Sequence, residues 1–177
     1  CHGDKGISLA LDAIEKAQLA HPNINLRHRL EHSYLWNPEL IKRAADLGVI
    51  WNTQLPVMAA AGRWATIEAW GARAQYGFPV RSAMEAGIVI SGGSDWTVAT
   101  LDPMVGVHAL VTRKLEPLED GDVLNPEQAV SVLDAIRMYT YNGAYTVSEE
   151  AYKGSLEDGK LADIAVLSDD ILGIPPD

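Results

Sequence analysis

Apolar positions along the chain change period several times, and each change marks an element. Leu9, Ala10, Ala13, Ile14 and Ala17 keep helical spacing, which predicts a helix from about Ile7 to Ala20 with Asp4 as a plausible N-cap and His21-Pro22-Asn23 as its stop. Ile24 to Glu31 alternates as a strand. Asn37-Pro38 then starts a second helix, with Asn as cap and Pro at the first position, ending near Gly48. Val49 to Gln54 is strand-like and runs into Leu55-Pro56. A longer segment, Val57 to Gly87, holds Trp64, Trp70, Tyr76 and Phe78 ahead of a helix that finishes at Glu85-Ala86-Gly87, and Ile88 to Ile90 forms another strand. Helix and strand thus alternate with short links, which implies βαβ units and a parallel sheet. Further on, Asn125-Pro126-Glu127 predicts a helix through about Tyr141, and Gly154 to Leu167 reads as a turn feeding a short strand.

Two short motifs about sixty residues apart stand at the ends of predicted strands, Arg29-Leu30-Glu31-His32-Ser33 and Ser91-Gly92-Gly93-Ser94-Asp95. The end of a parallel strand is where such sheets display their chemistry. By the two-residue period Leu26, His28, Leu30 and His32 share a face, with His32 at the C-terminal end and His28 about 13 Å deeper, so that His28 reads as a buried residue. Val89, Ser91, Gly93 and Asp95 share a face in the same way, and the two glycines leave room beside Asp95. An imidazole and a carboxylate at neighbouring strand ends suit a zinc site with an open position for water. Each residue also has an ordinary reading: His32 as a hydrogen-bonded structural histidine, Asp95 as a helix N-cap, Arg113 as half of a salt bridge, and Glu31 as the partner of Arg27 or Arg29.

Composition narrows the classes. The 177 residues fit one domain, and a hydrophobic content of 47% suffices for a core. No apolar stretch is long enough for a membrane helix. A formal charge of −10 with 14 scattered Lys and Arg argues against a nucleic-acid groove. The single cysteine excludes an internal disulfide and a cysteine-based zinc site, which leaves the compartment open, with a soluble cytoplasmic protein the default expectation. A phosphate site at Ser91 to Ser94 fares poorly, because no Lys or Arg follows closely and Asp95 would repel the anion. The opening Cys1-His2-Gly3-Asp4, without methionine or a preceding strand, leads to the expectation of a piece of a longer chain.

The ordered set Gly3-Asp4 with Leu9 to Ala17, Arg27 to His32, Gly93 to Val98, Asp102-Pro103, Thr112-Arg113, Thr140 to Ala144 and Gly154 to Leu167 resembles the amidohydrolase superfamily of metal-dependent hydrolases, and within it the amidohydrolase-3 branch that contains N-substituted formamide deformylases. What the resemblance implies is an α/β fold: the C-terminal half of a (β/α)₈ TIM-type barrel, about strands five to eight, over residues 1–153, with residues 154–177 as a short C-terminal β segment of a composite β domain. His32 would be the strand-six metal ligand, and Asp95 the strand-eight carboxylate that binds metal and serves as general base. His2 directly precedes Gly3, whereas the branch writes its strand-five histidine three positions before that glycine, so His2 is carried as a lesser candidate ligand. Trp96, Trp36 and Arg113 are candidate substrate contacts. The implied cofactor is a divalent metal, zinc foremost, as one or two ions. The implied partners are a small amide-type substrate, and the missing N-terminal half or another chain, with homo-oligomers expected. The implied reaction is hydrolysis of amide or related C–N bonds by metal-activated water. A catalytically inactive, self-associating half-barrel and a deaminase of the same superfamily stand as alternatives.

Overall fold

A computed structural model describes residues 1–22, 26–115 and 122–174. Its centre is a three-stranded parallel sheet in the order β1 (Arg29–Glu31), β2 (Ile50–Thr53), β3 (Ile90–Gly92), with Leu30 opposite Trp51 and Trp51 opposite Ile90. These residues are buried because helices cover the sheet. Ile41 and Ala44 come from α2 (Pro38–Asp46), Met58 from α3 (Leu55–Arg63), Val80 and Ala83 from α4 (Val80–Glu85), Val107 and Leu110 from α5 (Pro103–Thr112), and Ala135 and Met138 from α6 (Val132–Tyr139). The sequence expectation of alternating helices and parallel strands holds. No helix of the described residues is long and apolar enough to cross a membrane.

Boundaries differ where local chemistry overrides the pattern. The first helix, α1 (Asp4–Ala20), begins three residues earlier than its apolar spacing suggests; Gly3 occupies the cap position, and Asp4 lies inside the first turn, where its carboxylate favours the helix N-terminus. Its buried stripe is Ile7 and Leu11, while Leu9 is exposed. The first strand is shorter than expected: residues 23–25 lie outside the described residues, Leu26 is exposed, and His28 is half-buried rather than buried. By contrast α2 starts as predicted, with Pro38 at its first position and the Asn37 Oδ1 accepting from the Leu40 amide at 2.9 Å.

Asn125 does not cap a long helix. It sits at φ 49°, and its Nδ2 donates to the carbonyls of Ala74 and Gly77 at 2.8 and 2.9 Å, so only a 3₁₀ turn, Pro126–Gln128, follows it. The helix starts instead after Ser131, whose Oγ accepts from the Asp134 amide, and it breaks at Thr140 before α7 (Tyr141–Thr146). The expected strand within Gly154 to Leu167 is also missing from the described residues. Leu161 donates to the Tyr152 carbonyl and Lys160 Nζ to that of Glu150, but beyond them the backbone finds no strand to pair with, and Val166 is 92% exposed.

Two features lock the helical layer. The Tyr139 ring fills space that only glycine permits: a Cβ at Gly106 would lie 1.8 Å from its hydroxyl, and one at Gly92 would lie 2.5 Å from the ring. Arg113 ends α5 at φ 62° and is fully buried. Its Nε donates to the Leu124 carbonyl at 3.0 Å and its Nη2 to that of Phe78 at 3.1 Å. Burial pulls its pKa down to about 10, with Glu127 opposing, so the guanidinium stays charged at neutral pH. Neither a substrate anchor nor half of a direct salt bridge, Arg113 is a clamp on backbone carbonyls.

Two stability outcomes follow. Gly106→Ala forces the Tyr139 ring out of its slot and lowers unfolding free energy in urea by about 1–3 kcal/mol. Arg113→Met strands buried carbonyls and costs about 2–4 kcal/mol in the same measurement, and Arg113→Lys recovers little of it, because one ammonium cannot reproduce the fork of donors.

Candidate metal-hydrolase site at the C-terminal sheet edge

Because the three strands are parallel, their C-terminal ends share one edge, and the chain leaves β1 and β3 there through unusual turns. His32 at φ 65° and Ser33 at φ 54° turn the backbone off the sheet after β1; Asp95 at φ 54° does so after β3. Left-handed backbone at non-glycine residues is strained and persists only where the surroundings impose it. Here they do. The His32 amide donates to the Asn52 carbonyl at 3.0 Å, Trp51 Nε1 donates back to the His32 carbonyl at 2.7 Å, and the Gly93 amide donates to the Thr53 carbonyl at 3.0 Å.

The turns bring together side chains that lie far apart in the sequence. His32 Nδ1 stands 3.9 Å from Asp95 Oδ2, and the two side chains are 26% and 38% exposed, open to a ligand but partly shielded from bulk water. The His2 ring meets the His32 ring edge-on, with centroids 4.8 Å apart, and stacks nearly parallel on Tyr34 at 5.0 Å. Partial desolvation of its ring lowers the His2 pKa, the neighbouring His32 lowers it further, and Asp95 works the other way. The Tyr34 hydroxyl lies 2.9 Å from His32 Nδ1. Burial, together with Asp95, pushes that phenol up to about 12 and keeps it neutral.

The remaining candidates part company. Trp96 is 62% exposed directly after Asp95, with Val98 and Leu101 equally exposed on the same loop. Trp36 is instead in the core, 1% exposed, tilted against Trp51 and donating Nε1 to the Ser33 carbonyl at 2.5 Å. It borders a separate cavity of about 540 Å³ between α2 and α4, which none of His2, His32, Asp95 and Trp96 lines. Trp36 and His32 thus do not share that cavity. Arg113 is closed off in the clamp described above. Asp95 caps no helix; its carbonyl accepts from the Val98 amide in a turn. Glu31 pairs with Arg29, one of its two expected partners.

Three residues at this edge escaped the sequence reading. Tyr34 is one. Asn52 and Gln54 are the others: Gln54 Nε2 donates to Asn52 Oδ1 at 2.8 Å, and Asn52 Nδ2 to Ser91 Oγ at 3.0 Å, joining β2 to β3 by side chains as well as backbone. The signal lies in the run of three polar residues, Asn52, Thr53 and Gln54, that closes the strand-like segment begun by Val49, Ile50 and Trp51.

The donor set fits a divalent cation in part. Imidazole and carboxylate are its usual ligand chemistry, and two ligands of one tetrahedral ion stand about 3.4 Å apart, a few tenths of an ångström below the separation of His32 and Asp95. Among the described residues no group of three His, Cys, Asp or Glu side chains is close enough to hold an ion, so His2 does not complete the site as it stands.

Comparison with known proteins agrees with this architecture. The chain is 33% identical over 175 residues to the amidohydrolase YtcJ of Bacillus subtilis (strain 168), covering 98% of this chain and 32% of that protein. It is 33% identical over 173 residues to the N-substituted formamide deformylase of Arthrobacter pascens, covering 95% and 30%. Among solved structures, a metal-dependent hydrolase of Pyrococcus horikoshii superimposes with a TM-score of 0.83 at 26% identity, over 99% of this chain and 34% of that one. The chain thus spans about a third of the length of the relatives it matches. The family model described as "Amidohydrolase family" matches residues 1–177, and the chain belongs to that family of hydrolases.

Proposed function

We propose that this chain carries part of the catalytic centre of a metal-dependent hydrolase acting on amide or related C–N bonds, and that it forms about strands five to eight of a (β/α)₈ barrel, with residues 154–177 pairing into a β domain elsewhere in the protein. The observation that carries the reading is the convergence of His32 and Asp95, from two strand ends about sixty residues apart, to 3.9 Å on one sheet edge. The relative named as an N-substituted formamide deformylase supports the choice of bond.

His32 and Asp95 would hold a divalent ion, zinc foremost, with further ligands from outside the described set. Bound there, such an ion supplies a Lewis acid for the substrate carbonyl and acidifies water toward a pKa of ~7. Asp95 accepts the proton of the attacking water and returns it to the departing nitrogen, the step that lets an amine leave. Its partial exposure leaves a path for water, and the left-handed backbone at Asp95 turns the chain off the sheet beside His32. Trp96, Val98 and Leu101 offer an apolar wall for the substituent on the substrate nitrogen or carbonyl. A second reading, that the span alone is an inactive module, draws on the lack of three gathered ligands among the described residues.

In the complete protein, His32→Ala abolishes stoichiometric metal as read by elemental analysis, and Asp95→Asn lowers kcat on a formamide or other simple amide by about 10²–10⁴-fold. Metal content and hydrolysis both unchanged in these variants would overturn the assignment. Trp96→Ala raises KM about tenfold with kcat retained, the order expected for losing an aromatic contact worth roughly 1.5 kcal/mol.

A further inference from the structure

Resting on the reading of the site as a C–N hydrolase, we infer that Gln54 is a specificity residue whose side-chain carbonyl accepts the N–H of the scissile amide. The site then selects amides whose nitrogen still carries a hydrogen over N,N-disubstituted ones. Gln54 directly follows β2, the middle strand, and so stands between the turns that carry His32 and Asp95. Its Nε2 lies 3.4 Å from the Asn52 carbonyl, the oxygen that also takes the His32 amide at 3.0 Å. On its other side is Gly93, where a Cβ would come within 3.8 Å of both Cγ and Nε2 of Gln54.

The partners of the carboxamide fix its orientation. Nε2 is committed to Asn52, donating to Oδ1 at 2.8 Å and facing a backbone carbonyl that can only accept. Asn52 is itself held, its Nδ2 donating to Ser91 Oγ at 3.0 Å. Reversing the amide of Gln54 would set Oε1 against two oxygens. Gln54 is 5% exposed, and its Oε1 has no hydrogen-bond partner among the described residues. A buried acceptor left unpaired carries a desolvation penalty that a donor removes, and hydrogen bonds to a reacting group often close only as the substrate seats. An N-monosubstituted amide brings one N–H. As water adds to its carbonyl and the C–N bond breaks, the electron pair goes to nitrogen, which takes up the proton held by Asp95. The departing amine then carries two hydrogens, one from Asp95 and the original one on Gln54 Oε1. A neutral carbonyl suits that second place, because it stabilises positive charge growing on nitrogen without removing the proton. A second alkyl group on the nitrogen would set carbon against Oε1 and leave it unpaired.

The test compares, on the complete protein, an N-alkylformamide with the same compound N-methylated, by kcat/KM. Wild type is expected to favour the N–H compound by about a hundredfold or more. Gln54→Met keeps the length of the side chain and removes the acceptor. It is expected to lower kcat/KM on the N–H compound about 10–100-fold and to shrink the preference accordingly, with metal content retained. Gln54→Glu keeps an acceptor but gives up the donor to Asn52, and it is expected to retain most of the preference, which a purely structural role would not allow. Comparable wild-type rates on the two compounds overturn the inference without recourse to a variant, and so does an equal loss of preference in both variants. Hydrolysis of neither compound by metal-loaded wild type overturns the C–N hydrolase reading and this inference with it, so the two failures are distinguishable.

Discussion

Everything proposed for the site hangs on one strand. β2 lies between β1 and β3, and its last residues receive the first amides of both turns, Asn52 from His32 and Thr53 from Gly93. Parallel pairing makes this possible, because it sends three successive strand ends to the same edge and lets residues on the outer two reach across the middle one. Were β1 antiparallel, His32 would leave from the opposite edge and never approach Asp95. The register therefore decides the chemistry before any side chain does.

Support for that edge comes from the far side of the helical layer. Arg113, at the end of α5, grips the Phe78 carbonyl; the Phe78 amide and ring hold Tyr34; and the Tyr34 hydroxyl meets His32. A buried charge is a costly way to hold a turn unless its donors are used. In Arg113 those of Nε and Nη2 are, on carbonyls belonging to segments that precede α4 and follow α5. The clamp thus ties two irregular segments that no sheet or helix bonds to each other, and one of them carries the ring on which Tyr34 rests.

The layout of helices and parallel strands was legible because burial imposes period on sequence: Leu40, Ile41 and Ala44 face one way on α2, and β2 opens on the buried apolar pair Ile50 and Trp51. His32 and Asp95 were legible as strand-end residues for the same reason. The rest was hidden where a residue's role is set by partners distant in sequence. Asn125-Pro126 looks like a helix start, but its amide is taken by Ala74 and Gly77, about fifty residues earlier. Arg113 and Trp36 look like residues fit for a pocket, and their burial follows only from what folds over them. Tyr34 stands two residues after His32, which would place both on one face of a continuing strand, yet the two left-handed residues end that strand and set the rings perpendicular.

That change of direction explains why the site needs strained backbone at all. An extended strand sends side chains of alternate residues along one line, about 6–7 Å apart, too far for a phenol and an imidazole to share a hydrogen bond without reorientation. Turning at His32 and Ser33 folds the line back, so that three consecutive polar side chains serve three purposes: His32 faces Asp95, Ser33 is buried with its hydroxyl toward the Cys1 and Glu31 carbonyls, and Tyr34 returns over His2 to reach Nδ1. On the other side β3 ends at Gly92, and the left-handed residue at Asp95 turns the chain three residues later, beside His32. The strain at these turns and the convergence of the site are one structural fact, and the hydrogen bonds to β2 are what sustain both.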